Sequence, residues 1–360
     1  KGNKPNYEYS YNYQNWYPSA EFETINTRKN IGLFDLTPFA KFELKGKFVH
    51  DELQRICTAN IKNEKGKTTY TQILNKDGGI EADLTIVCIE EGYFRIVSSA
   101  AVRERDKHYL LKNLDSKLEF KDVTDDYACL GLFGPKSRNL LTDIAGDFFQ
   151  TKTFPFASGK NIEIQNVKIW AQRLSYVGEL GWELYVPIKE AKKIYKIIID
   201  IGKKYNLCHA GAHAMDILRM EKGYLHWGHD ISPEENQYEA GLNFAISFKK
   251  DVNFIGKNFL LKEKNKKPAK KLVLLSLKNS KPGQPLLVHD EPIYLDGKII
   301  GRTTSGNYSF NYKKNIAFGY VKTNVNFEQK NIAIEVEKKM YEAIIETKPL
   351  HDPNNIILKK

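Results

Sequence analysis

A run of charge at residues 261–271, LKEKNKKPAKK, divides this sequence into two stretches with different hydrophobic periods. A chain that changes period cannot be one uniform architecture, so the break forces at least two parts. Upstream, helical and strand-like segments alternate. Val49, Leu53, Ile56 and Cys57 share one helical face, and strand runs at 84–89 and 93–97 are joined by a tight turn at 90–92. A polar helix with Val102, Tyr109, Leu110 and Leu114 follows. A strand at 128–133 ends in Gly134-Pro135, ahead of a helix carrying Leu140, Leu141, Ile144 and Phe148. Residues 188–205 form an amphipathic helix with Ala191, Ile194, Tyr195, Ile198 and Ile201 inward and lysines outward, and another helix covers 213–223. Downstream of the break only short strand patterns remain, at 272–277, 298–303, 317–321, 332–336 and 343–346, with Asp296-Gly297 as a hairpin turn. The expectation is an α+β body over 1–265 and a small all-β domain over 266–360, a barrel. The tyrosine- and asparagine-rich residues 6–17 are expected to form an irregular arm.

Composition narrows the class. With 41% hydrophobic and 28% charged residues over 360 positions, the chain can bury a real core, which excludes wholesale disorder. No apolar run approaches the ~20 residues of a membrane helix. The net charge of +11 comes mostly from lysine, only nine of the 55 basic residues being arginine. The lysines are spread along the chain rather than gathered beside aromatics, which argues against nucleic-acid binding and leaves steering of a small anion. Cys57, Cys88, Cys129 and Cys208 stand far apart among apolar neighbours, as reduced core residues of a cytoplasmic protein would. The sequence starts at Lys1 without a charged-then-apolar leader, which suits a processed chain or a piece of a longer one.

Nucleotide fingerprints are absent: there is no GxGxxG opening a βαβ unit, no GxxxxGK[ST] and no GxSxG elbow. Histidines 209, 213, 226 and 229 with Asp216, Glu221 and Asp230 offer a metal set. They equally suit a helix start and a tryptophan-bearing loop with local hydrogen bonds, and no metal is assigned. Three other residues carry more weight. Asp83 follows a Gly-Gly turn at the mouth of an apolar strand, where partial desolvation raises a carboxyl pKa; its plain alternative is a turn-capping aspartate. Glu183 opens a strand in SYVGELGWELYVP, where it could accept two parallel N–H bonds from a heterocycle edge, with Tyr176 and Trp182 as flat walls. Its plain alternative is an edge-strand surface glutamate. Arg219, between Leu218 and Met220, needs a carboxylate partner or an anionic ligand if buried.

Taken together, FDLTPFAKFELKG (34–46), YTQILNKDGGIEADLTI (70–86), LFGPKSRNLL (132–141), SYVGELGWELYVP (175–187), ILRMEKGYLHWGHDISPEENQYEAGL (217–242) and GRTTSGNYS (301–309) resemble the folate-binding aminomethyltransferase family. That family holds the glycine cleavage T-protein and the C-terminal halves of dimethylglycine and sarcosine dehydrogenases. WGHD (227–230), EAGL (239–242) and the NWYP arm (15–18) look like the dehydrogenase branch. The sequence then resembles their folate half without the FAD domain.

The resemblance implies a three-part ring, with two α+β subdomains (the inserted one about 47–135) and the C-terminal barrel around a central hole for tetrahydrofolate. Asp83 matches the family's catalytic aspartate, facing N5 and N10 of the folate. Glu183 matches the acid gripping the pterin N3–H and 2-amino group. Phe39, Tyr70 and Tyr176 match pocket-lining positions, and Arg219 matches a helix arginine that supports the site. The implied reaction moves a one-carbon unit from a small amine-derived donor to tetrahydrofolate, giving 5,10-methylenetetrahydrofolate. The alternatives are methyl transfer to folate and a non-catalytic folate-binding subunit serving a flavin dehydrogenase domain or subunit. Two departures stand out. Ala82 replaces the first of the T-protein's paired aspartates, and His351 stands where a C-terminal tyrosine often approaches the ligand. The iron–sulfur assembly branch is disfavoured because its cysteine has no counterpart in EKGYLHWG (221–228).

Overall fold

The computed structural model describes residues 6–325 and 331–360. In chain order the elements are α1 (Tyr17–Lys29), β1 (Ile31–Asp35), β2 (Ala40–Lys45), α2 (Val49–Ile56), β3 (Thr68–Leu74), β4 (Ile80–Glu90), β5 (Tyr93–Ser98), α3 (Arg103–Asn113), β6 (Glu119–Asp122) and β7 (Tyr127–Phe133). There follow α4 (Ser137–Ala145), β8 (Ser158–Ile164), β9 (Val167–Arg173), β10 (Gly181–Pro187), α5 (Ala191–Gly202), β11 (Leu207–Ala210), α6 (Ala212–Lys222) and α7 (Lys257–Glu263). The last part holds β12 (Lys270–Leu277), β13 (Pro292–Leu295), β14 (Lys298–Ser309), β15 (Lys314–Lys322), β16 (Ile332–Val336), β17 (Lys339–Glu346) and α8 (Ile356–Lys359).

These build two sheets and a barrel, an α+β architecture. The six-stranded sheet has the order β11-β1-β7-β10-β9-β8, the five-stranded sheet β3-β4-β5-β2-β6, and β12-β15-β14-β13-β16-β17 close into a barrel. Each sheet buries one face under its own helices. Leu130, Leu132, Trp182, Leu184 and Val186 meet Leu140, Ile194 and Ile198 on the first. Ala82, Leu84, Ile86 and Cys88 meet Val49, Leu53 and Leu110 on the second. Because side chains alternate along a strand, the residues between these point the other way. Val87, Cys129, Phe133 and Tyr185 accordingly share a third cluster with Phe34, Leu36 and Leu218, where the other faces of the two sheets meet each other and α6.

Several local expectations are corrected. Phe148 is not part of the α4 face: the helix stops at Ala145, Gly146 takes φ +88°, and Phe148 is exposed. Tyr195 is also exposed, leaving Ile194 and Ile198 as the buried stripe of α5. The barrel has a sixth strand, β13, which is four residues long and begins at a proline. No helix among the described residues is long and apolar enough to cross a membrane.

Candidate active site

Between the two sheets, the barrel and the irregular stretch after α6 lies a cavity of about 1630 Å³. Phe39, Tyr70, Asp83, Tyr176, Glu183 and Arg219 all line it.

Asp83 reaches it through strand alternation, lying between Ala82 and Leu84, which both face the helix-covered core. The hairpin ahead of it needs its glycines. Gly78 has φ +85°, and a Cβ on Gly79 would come within 2.1 Å of the Pro233 carbonyl. The chain after α6 packs that closely on the turn, with Ile80 N bonded to the Glu235 carbonyl at 3.0 Å. Burial pushes the Asp83 carboxyl up from its ordinary 3.8 to about 6, against hydrogen bonds from Gln72 and Tyr70 that pull it down. Gln72 Nε2 donates to Asp83 Oδ1 at 2.7 Å. The nearby Asp106 carboxyl, buried on α3, is also raised to about 6, chiefly by desolvation.

Glu183 sits on β10, an interior strand between β7 and β9, so the edge-strand alternative does not apply. Tyr185 Oη donates to its Oε2 at 2.7 Å. Burial raises its carboxyl, opposed by that bond and by the charge of Lys41. Lys41 is itself fully buried, its Nζ held by the carbonyls of Thr37 (2.9 Å) and Phe39 (2.8 Å), which pins the turn bearing Phe39. Trp182 is not a wall of this site. Adjacent strand residues point to opposite faces, and Trp182 is 0% exposed in the first sheet's core, edge-on to Phe149 at 5.3 Å.

The aromatic walls are stacked pairs. Tyr176 stacks on Tyr224 with centroids 6.1 Å apart, and its hydroxyl donates to the Leu225 carbonyl at 2.7 Å. Tyr70, 38% exposed, stacks on Phe244, 72% exposed, at 6.2 Å. Tyr224 and Phe244 escaped sequence reasoning because they lie in stretches without period.

Arg219 is 1% exposed, and its charge is answered from within the protein. Its Nε donates to Asp216 Oδ1 at 2.8 Å, Nη1 to Asp230 and to the Tyr224 carbonyl, and Nη2 to Ser305 Oγ at 2.8 Å. Asp230 also accepts from Thr304, Ser305 and the His226 backbone. Arg219 thus joins α6, the following loop and β14, and holds the cavity walls together rather than offering a free cation. His351 does not line the cavity; it lies 2.8 Å from Glu179 and 3.1 Å from the Tyr312 hydroxyl.

The histidine set is dispersed. His209 is on β11, bonded to Tyr195, and His213 stacks on Trp16 at 4.9 Å. His226 and His229 pack on each other with centroids 4.6 Å apart. Asp216, Glu221 and Asp230 are committed to Arg219 and Arg28.

Comparisons with known proteins agree with this architecture. The GCVT N-terminal domain model matches residues 2–250, and the glycine cleavage T-protein C-terminal barrel domain model matches residues 270–352. The chain is 34% identical over 353 residues to 4-methylaminobutanoate oxidase (formaldehyde-forming) of Paenarthrobacter nicotinovorans, covering 98% of this chain and 42% of that protein. It is 32% identical to the aminomethyltransferase of Halothermothrix orenii, covering 90% of this chain and 89% of that one. The chain therefore spans about two fifths of the oxidase and nearly the whole of the transferase. The glycine cleavage system aminomethyltransferase T of Bartonella henselae superposes with a TM-score of 0.83 at 24% identity over 93% of this chain and 90% of that one, a likeness of fold. With family models matched across both its body and its barrel, this chain belongs to the aminomethyltransferase (glycine cleavage T-protein) family.

Proposed function

We propose that this chain binds tetrahydrofolate in the central cavity and catalyses transfer of a one-carbon unit to it from a small aminomethyl or imine donor, giving 5,10-methylenetetrahydrofolate. The observation that carries this reading is the pairing, around one cavity, of two desolvated carboxyls from different sheets, Asp83 and Glu183. The cavity fits the assignment. Its about 1630 Å³ exceeds the roughly 300–1,000 Å³ of a single-ligand pocket, leaving room for folate and donor together. Glu183 keeps Oε1 free of internal donors among the described residues and can accept from a pterin N–H edge, while Tyr70, Tyr176 and Phe39 supply flat apolar walls. Asp83, ionised, would stabilise the cationic iminium that precedes capture by the folate nitrogens, and its raised pKa suits it to take up a proton from them near neutrality.

The 4-methylaminobutanoate oxidase of Paenarthrobacter nicotinovorans is named as formaldehyde-forming. A unit at that oxidation level is what a methylene product requires, which favours it over methyl transfer. A flavin dehydrogenase domain or subunit would supply such a unit from an N-methyl amine. Four free cysteines accord with a reducing, cytoplasmic setting.

The test is product analysis with tetrahydrofolate and a panel of glycine-, sarcosine- and dimethylglycine-derived donors. The expected outcome is methylenetetrahydrofolate with wild type and a rate lower by about 10²-fold or more with Asp83→Asn, the usual effect of removing a general acid–base group. Methyltetrahydrofolate, or full activity in Asp83→Asn, would overturn the assignment.

A further inference from the structure

Beside Asp83 on the same face of the sheet, and outside the cavity lining, buried amides form a directed series of hydrogen bonds that the proposed chemistry does not use. Gln72 pairs directly with Asp83 across β3 and β4 and is 0% exposed. While its Nε2 donates to Asp83 Oδ1, its Oε1 accepts from Gln237 Nε2 at 2.6 Å. Gln237, also 0% exposed, donates further to Thr58 Oγ1 at 3.1 Å. Thr58 Oγ1 in turn lies 3.1 Å from the Ala245 carbonyl and 3.2 Å from the Gln72 carbonyl, either of which can take its proton.

The series has one workable direction. An ionised carboxylate only accepts, so Gln72 must turn its NH₂ to Asp83 and its carbonyl to Gln237, and Gln237 must then present its NH₂. Reversing either amide sets oxygen against oxygen. The cost of this polarity is visible: Gln237 Oε1 is buried and meets no donor among the described residues. Buried acceptors left unpaired are rare and destabilising, and this one persists where donor direction toward Asp83 is at stake.

We propose that Gln72 and Gln237 are positioning residues that hold the Asp83 carboxylate in its ionised form and fix which of its oxygens faces the cavity. The inference rests on the reading of Asp83 as the acid–base group. The other groups facing Asp83 are the Tyr70 hydroxyl on β3, the Tyr176 hydroxyl, and Asp106 on α3 with its partner Arg105. They are untouched by the substitutions below.

The experiment follows the Asp83 carboxyl carbon by NMR in protein labelled with ¹³C at aspartate Cγ, assigned by the signal missing from Asp83→Asn. In Gln72→Met the titration midpoint should rise by about one pH unit or more, as expected when a carboxylate loses a charged hydrogen bond. Gln237→Met should raise it by less, and the double variant should match Gln72→Met, because Gln237 acts only through Gln72. If Gln72→Met does not fold, Gln72→Asn, an amide one methylene too short, should show the same upward displacement. An unmoved midpoint in the Gln72 variants, or a Gln237 effect that adds fully to that of Gln72, would overturn the proposal. The acid limb of the transfer rate should move with the midpoint. A midpoint that moves while the rate profile stays in place would support the relay and remove Asp83 from the chemistry.

Discussion

At the residue scale, the two carboxyls carry the account, and the titration of Asp83 sets its pH dependence. Its carboxyl titrates at about 6 in the folded chain against an ordinary 3.8, so ionisation costs folding free energy. That cost is absent below about pH 4, and stability falls as pH rises through the window from about 4 to 6. Asp83→Asn should therefore melt higher than wild type at pH 7, by roughly 1–3 kcal/mol in unfolding free energy, with the gap closing toward pH 4. Denaturant titrations at the two pH values check it, and a gap independent of pH would contradict it. Activity has the opposite sense: the proposed acid–base role calls for the ionised form, so the rate should climb through about pH 6 in wild type and lose that inflexion in Asp83→Asn. Asp83 and Glu183 stood out in the sequence because an acid beside glycines in an apolar strand is conspicuous. Gln72 did not. Counting back from the turn, the simple register sets Leu74 against Ile80 and Gln72 against Ala82. A bulge between Ile73 and Leu74 moves the pairing by one and brings Gln72 to Asp83. No local pattern announces such a slip.

At the element scale, what could be read was what repeats. The α5 stripe of Ile194 and Ile198 is carried by apolar residues at helical spacing, as is the face of α2. The preceding α1 was invisible, since two of its four buried positions are Thr24 and Thr27, which carry no apolar signal. Trp182 misled for a related reason: adjacency in sequence to Glu183 suggested a shared wall, but a strand sends neighbours to opposite faces. The helix with the most to do is α6. Arg219 bonds Ser305, Asp216 accepts from Asn307, and Glu221 accepts from Ser309 and Asn311, so this helix binds the body to β14 and the segment after it. Removing one member of a buried ion pair strands the other charge. Asp230→Asn should accordingly lose about 3 kcal/mol or more of stability in urea titrations, while a surface change such as Lys196→Ala should lose little. Equal midpoints for the two would show that the Arg219 cluster is not a structural joint.

At the scale of the whole molecule, the site belongs to no single part. Asp83 and Tyr70 come from the five-stranded sheet, Glu183 from the six-stranded one, and Ser305, Gly306 and Asn307 from the barrel. The division at residues 261–271 showed that a barrel follows a mixed body, but a change of period says nothing of how the parts face each other. That arrangement depends on side chains buried between them, such as Lys222 on α6, whose Nζ bonds the Asp352 carbonyl at 2.6 Å. The most direct measurement is calorimetric titration of tetrahydrofolate into wild type and Glu183→Gln at matched pH and salt. One-site binding to wild type, weakened about 10–100-fold in Glu183→Gln by loss of a charge-assisted bond, is the predicted result. No heat with wild type, or equal affinity in the two proteins, would contradict the account.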